Sequence, residues 1–202
     1  CNSALKQDSN SLDAHRVRAL ALNFTGDAAQ SIKDCSYFLE RHPQKDRQRA
    51  EVLTIRAMDH LRSNKLDAAI DDLAEAIACS PNDGLLYLNR AVVYMKMKDY
   101  HKAIAECDIA QKRSPGELLV FGIRSSCYDK IGNSKAALAD LNHLTTMSPT
   151  VETHRNRGRA RLALHDYNGA LDDFEWILLH APQDIDANKK RDLALSAIKN
   201  KT

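Results

Sequence analysis

Residues 85–115, LLYLNRAVVYMKMKDYHKAIAECDIAQKRSP, contain two amphipathic runs separated by a short polar break and closed by a proline. The second run places Ala103, Cys107 and Ala110 at spacings of four and three, which builds an apolar stripe on one face of a helix. Asp99 follows the break at Lys98 and is placed to cap that helix, while Pro115 cannot continue it. Ala91 in the first run and Ala103 in the second are small enough for two helices to approach closely where they cross. The stretch therefore predicts an antiparallel pair of helices joined by a tight turn.

The same pattern recurs on both sides. All five prolines, Pro43, Pro81, Pro115, Pro149 and Pro182, fall at intervals of 38, 34, 34 and 33 residues. A period near 34 marks a row of identical supersecondary units that bury their apolar faces against one another. With each proline numbered as slot 32, slot 8 holds Ala19, Ala57, Ala91, Ser125 and Gly158. Slot 20 holds Ser31, Ala69, Ala103, Ala137 and Ala170, and slots 24 and 27 are apolar throughout. The turn at slot 15 is Gly26, Asn64, Lys98, Gly132 or His165, and Asp27, Asp99, Asn133 and Asp166 follow it as caps. Four extra residues before the second unit lie in the polar stretch 44–49, as a longer loop or an early helical turn.

Tyr87, Ala91, Tyr94, Tyr100, Ala103, Ala110 and Pro115 carry a resemblance to the tetratricopeptide repeat family, which extends over essentially the whole chain. Departures are local: His60 and Arg161 replace an aromatic at slot 11, and Ser31 replaces the slot 20 alanine. The resemblance implies an all-α fold, a right-handed α-solenoid of helix-turn-helix repeats. Its organisation would be the end of a truncated repeat at 1–11, repeats at 12–45, 50–83, 84–117, 118–150 and 151–183, and a capping helix at 184–202. Ile185, Ala187, Leu193, Ala194 and Ile198 are expected to cover the last repeat.

A further regularity is charged. Slot 7 is always arginine (Arg18, Arg56, Arg90, Arg124, Arg157) and slot 23 always acidic (Asp34, Asp72, Glu106, Asp140, Asp173). The two slots are equidistant from the turn, so an antiparallel pair sets them at one height. This predicts one interhelical ion pair per repeat, since the planar guanidinium can hold a carboxylate by two hydrogen bonds.

Composition narrows the function classes. Charged residues make up 28% and apolar residues 44%, with a net charge of +2, which argues against a nucleic-acid footprint. No run approaches the roughly 18 apolar residues that span a bilayer. Five scattered cysteines without CxxC spacing fit buried, reduced thiols of a cytoplasmic protein rather than a disulfide or zinc framework. No histidine pair at ligand spacing, phosphate loop or nucleophile elbow occurs, so neither cofactor nor metal is expected and the chain reads as non-enzymatic. Asp71-Asp72 and Asp172-Asp173 are neighbours about 100° apart on a helix, not an acid–base couple.

At the start, Cys1 and Ala4 continue the repeat register at slots 24 and 27. This favours a piece of a longer array, with self-association through that end as a consequence. A mature lipoprotein acylated at Cys1, periplasmic or at the outer membrane, is the alternative.

The family resemblance also implies where a partner would sit, along slots 5, 6 and 9 of the first helices. Here those slots supply Arg16, Val17, Leu20, Ile55, Met58, Leu88, Asn89, Val92, Ile123, Arg155, Asn156 and Arg159. The expectation is a groove for a peptide or helix of another protein, apolar in the first three repeats, with an acidic portion near Arg155 and Arg159. Of the family's two-carboxylate clamp for chaperone tails only Asn89 is present; Thr54, Met58, Leu119 and Ile123 occupy the other positions. Attachment of the repeats to a catalytic domain, as a regulatory or oligomerising region, is the other reading.

Overall fold

A computed structural model describes residues 8–200, and among them every regular element is an α-helix. The expectations attached to Cys1 and Ala4, self-association and lipidation included, lie outside the described residues. The helices are α1 (Leu12–Thr25), α2 (Ala28–Arg41), α3 (Arg47–Arg62), α4 (Leu66–Cys79), α5 (Gly84–Lys96), α6 (Tyr100–Arg113), α7 (Leu119–Lys130), α8 (Ser134–Met147), α9 (Val151–Ala163), α10 (Tyr167–His180) and α11 (Ile185–Lys199). They divide into two compact units, 1–115 with α1–α6 and 116–202 with α7–α11.

Each hairpin is closed by the same local chemistry. Slot 15 takes the left-handed conformation in every repeat, with φ of 91° at Gly26, 57° at Asn64, 64° at Lys98, 76° at Gly132 and 60° at His165. That conformation lets the next amide bond back five residues, as in Asp99 N to Tyr94 O at 2.9 Å, satisfying a carbonyl the helix end leaves open. Asp27, Asp99, Asn133 and Asp166 then accept from the third amide of the following helix at 3.0–3.2 Å. Lys65, in the same place, supplies no side-chain cap. At the far end, the residue before each proline is driven out of helical space, with φ/ψ of −141°/69° at Ser80 and −134°/76° at Ser114. The extra residues before the second repeat resolve into a short loop and an early turn, because Asp46 caps α3 at the amide of Arg49.

Small residues sit where the helices cross. Ala19, Ala57, Ala91, Ala69, Ala103 and Ala170 are all fully buried. Gly158 marks a close crossing: a Cβ there would come within 2.9 Å of the Phe174 ring. In the first unit Phe38, Val52, Leu53 and Leu86 join hairpins one, two and three in a continuous core. In the second, Phe174 and Ile177 pack with Ala187 of α11. Only part of the expected apolar face of α11 turns inward, however. Ala187 and Ala194 are buried, whereas Ile185 is 70% and Leu193 57% exposed. These two fall on the opposite side of α11, where their helical phase points away from α10.

The five arginine–acid pairs all form across their hairpins. Arg18, Arg56 and Arg124 present Nε and Nη2 to the two oxygens of Asp34, Asp72 and Asp140 at 2.6–2.9 Å. Arg157 binds Asp173 with the same two nitrogens at 2.6–3.2 Å. Arg90 differs, reaching Glu106 through Nη2 alone at 2.8 and 3.0 Å and leaving its buried Nε without a partner. Glutamate is one methylene longer, and its carboxylate overshoots the fork.

The departures at slot 11 feed the same pairs. Arg161 adds a bond to Asp173 Oδ2 at 2.8 Å, and His60 Nε2 stands 3.8 Å from Asp72. His15, at slot 4, reaches Asp34 Oδ1 at 2.8 Å. Burial opposes the charge on Asp34, but the hydrogen bonds from Arg18 and His15 outweigh it and hold its carboxyl below the usual range.

One buried acid has no counterpart in the other repeats. Asp59, fully buried, occupies slot 10, where Val93, Cys127 and Ala160 stand elsewhere. Asn23 donates to it at 3.1 Å across the first two hairpins, and Arg62 binds both Asp59 and the Asn23 carbonyl. A polar joint thus replaces apolar packing between α1 and α3.

Candidate functional site

The first helices of neighbouring hairpins leave a trough between them in the 1–115 unit. Slot 7 commits one face of α3 and α5 to the second helix of its own hairpin. Slots 2, 5 and 6 are turned away from that face. Between α3 and α5 they enclose a cavity of about 480 Å³. Ala50, Thr54 and Ile55 line it from α3, and Leu85, Leu86 and Asn89 from α5. Its open end carries Arg47, Glu51 and Asp83, and Asp83 also caps α5 through the amide of Leu85 at 3.0 Å.

Its walls are chemically uneven. Leu86 and Ile55 are buried and form the floor, while Leu85 is 47% exposed and stands at the edge. Thr54 spends its hydroxyl on Ala50 O at 2.8 Å, so it presents mainly its methyl group. The amide of Asn89 is half-buried and makes no hydrogen bond among the described residues, which leaves two donors and an acceptor facing the cavity. Nothing in this lining resembles a nucleophile–base pair, and no cluster of metal-ligating side chains occurs among the described residues.

The residues expected to line a groove are distributed as follows. Ile55 and Asn89 meet in the α3–α5 cavity. Val92 lines a second cavity toward the C-terminal ends of the same helices, and Met58 is half-buried against the core of the second hairpin. Leu88 is 4% exposed and Ile55 7%, so neither offers the free apolar surface expected of it; packing between helices covers both. Val17 and Leu20 are exposed on α1, and Arg16 beside them is held by Glu51 at 2.9 Å. In the 116–202 unit, Asn156 and Arg159 share a polar cavity with Ser126 and Glu152, and Ile123 is half-buried.

The expectation that Arg155 awaits an acidic partner is corrected by α11. Asp184 binds Arg155 Nη2 at 2.5 Å and Asp186 approaches Nη1 at 3.3 Å. The Arg155 guanidinium and the Ala187 amide hold the Asp184 carboxyl down at about 2. Arg159 is exposed and forms no ion pair among the described residues. Leu85, Leu61 and Met95 were not singled out from the sequence, although slots 2 and 12 belong to the same inner face, and Lys98 was read only as a turn residue.

Comparison with known proteins agrees with this geometry. Residues 56–117 match the family model described as tetratricopeptide repeat. Among curated relatives, the TPR repeat-containing thioredoxin TDX of Arabidopsis thaliana is 26% identical over 98 residues, covering 48% of this chain and 26% of that protein. The chain spans about a quarter of the length of the first curated relatives it matches. Among solved structures, a tetratricopeptide repeat protein of Parabacteroides merdae superposes with a TM-score of 0.77 at 15% identity. That match covers 93% of this chain and 73% of the other. YrrB, described as a TPR protein with an unusual peptide-binding site, superposes at 0.72 with 16% identity, covering 98% and 97%. At such identities these likenesses establish the fold.

Proposed function

From repeats of the tetratricopeptide kind, we propose that the chain is a non-catalytic interaction scaffold, holding a peptide or helix of a partner protein between α3 and α5. The observation that carries this is the free Asn89 amide set into an apolar floor. A peptide backbone needs both a donor and an acceptor when it leaves water, and one carboxamide provides both. Leu85 beside it, 47% exposed, would receive an apolar side chain. The cavity volume falls within the roughly 300–1,000 Å³ of ordinary ligand sites.

Leu85→Glu and Asn89→Ala test the assignment. Leu85 is already half in solvent, so a charge there leaves the fold intact while spoiling the apolar edge of the cavity. Partners captured by the parent chain from source-cell extract should be lost with both variants, at unchanged thermal stability. Capture of the same partners by both variants would move the binding surface elsewhere.

A second reading draws on the 26% of the thioredoxin's length that the chain spans. In it the repeats are the regulatory or oligomerising region of a larger enzyme, and the complete open reading frame decides the matter. The buried thiols of Cys35 and Cys127, in no disulfide among the described residues, favour a cytoplasmic setting over a periplasmic or outer-membrane one. No described helix is long and apolar enough to cross a membrane.

A further inference from the structure

The two ends of the α3–α5 trough differ in charge. At the N-terminal ends the lining carries both signs, with Arg47 beside Asp83 and beside Glu51, which binds Arg16. At the C-terminal ends the same helices line a cavity of about 510 Å³ with an apolar floor of Leu61, Val92 and Met95, and a rim of Arg62, Lys96 and Lys98. On α5 the two cavities are one helical turn apart, from Asn89 to Val92.

The rim charges are not equivalent. Arg62 is occupied by Asp59 and by the Asn23 carbonyl. Asp99, the acid nearest in sequence to Lys98, is held by Lys102 at 2.9 Å. Lys96 and Lys98, both exposed, form no ion pair among the described residues. Tyr100, which also lines the cavity, has a hydroxyl that makes no hydrogen bond among the described residues. The site is therefore apolar at its base and carries uncompensated positive charge at its mouth.

Lys98 is also an unfavourable residue for its backbone. It takes φ of +64° at the position where Gly26 and Gly132 stand in other repeats. A lysine has no short polar group to relieve that conformation as asparagine does, so the turn itself gains nothing from it.

We propose that this cavity receives an acidic segment of the bound partner. An apolar side chain would lie on Leu61, Val92 and Met95, and neighbouring carboxylates would meet Lys96 and Lys98. This rests on the groove reading above and adds the ligand's charge and its orientation, acidic portion toward the helix C-terminal ends.

The test uses the full chain and a short fluorescein-labelled peptide of leucines followed by glutamates. Two twin peptides carry glutamines or lysines in place of the glutamates. Fluorescence anisotropy should rank them glutamate, glutamine, lysine, with the difference shrinking as salt rises. Lys96→Gln and Lys98→Gly should each weaken the glutamate peptide by about two- to fivefold and leave the glutamine twin unchanged. Lys98→Gly should also raise the melting temperature, so a loss of binding cannot be ascribed to unfolding. Lys112→Gln, an equal charge change at an exposed position of α6, should leave binding as it was. Equal affinity for all three peptides overturns the acidic preference and leaves the groove standing. An equal loss in Lys112→Gln overturns the site. Binding of none of the three overturns the groove reading together with this inference.

Discussion

Replacing Asp173 by asparagine isolates the energetics of the ion-pair ladder where they are most concentrated. The side chain is 1% exposed and accepts from Arg157 Nε and Nη2 and from Arg161 Nη1. Asparagine keeps its volume, so the Phe174–Gly158 packing next to it is undisturbed. What is lost is the negative charge, and the new amide N–H₂ must face a guanidinium donor. Arg157 then remains without its counter-ion, and Arg161 keeps only its longer approach to Asp166 at 3.7 Å. Their side chains are 17% and 20% exposed, so solvent recovers part of the loss. That places the cost near about 3 kcal/mol, the lower end for breaking a buried pair. For a cooperative unit of about 60–100 residues, the size class of the 116–202 unit that holds Asp173, this lowers Tm by roughly 12–24 °C. Calorimetry gives Tm, and urea unfolding followed by Trp176, the chain's one tryptophan and a neighbour on α10, gives the free energy. Asp172→Asn, adjacent but exposed, should fall within about 0.5 kcal/mol of the parent. A cost below about 1 kcal/mol for Asp173→Asn would mean that the ladder is screened by water, and its assignment to stability would be withdrawn.

Acidification from neutral pH should destabilise the fold in two stages. Burial pushes the imidazoles of His60 and His154 below their usual range, so the unfolded chain takes up those protons first, near pH 6.5, and stability falls from there downward. Asp34 and Asp184 are held low in the folded state, which removes further stability once pH drops through the ordinary carboxylate range. A Tm that rises between pH 7 and 5 would contradict the first stage, and His154→Gln should flatten it. Burial also raises the thiol of Cys35 to about 12, and Cys107 and Cys127 are fully buried. Iodoacetamide at pH 8 should therefore modify these three only at the rate of unfolding, as read by mass spectrometry; fast labelling of the native chain would refute their burial.

Much of the fold could be read from the chain because each local rule recurs. Lys98 alone at a turn says little, yet five residues that share one slot all adopt positive φ. The ladder could be read for the same reason, since equal distance from the turn fixes the height of both partners. The recruitment of Arg161 to Asp173 was within reach as well. Slot 11 is one turn beyond slot 7 on the same face, so a cation in the aromatic's place must meet the same acid. Asp59 was harder to foresee. It occurs once, in a slot where other repeats are apolar, and its partner Asn23 belongs to the preceding hairpin. The periodicity of a helix gives the direction of a side chain, but burial depends on what the adjoining hairpin places opposite. Ile55 and Leu88 went under cover for that reason, and Arg155 was taken by α11.

The uneven legibility has a consequence for where specificity can reside. Slots 7, 8, 20 and 23 hold one kind of residue in all five repeats, because the hairpin fails without it. Slot 6, adjacent to the ladder arginine but about 100° around the helix, is Val17, Ile55, Asn89, Ile123 and Asn156. It takes no part in the ladder, and its chemistry changes from repeat to repeat while every ladder pair still forms. Slot 15 shows the opposite case, where the backbone demands glycine or asparagine and Lys98 and His165 stand in spite of it. Ile55 and Asn89, in a slot the ladder leaves open, line one cavity between α3 and α5, and Lys98, in a slot whose backbone favours glycine or asparagine, lines the other. A ligand is the simplest common cause of both, and Lys98→Gly, which should favour the turn while disfavouring the ligand, separates that cause from chance.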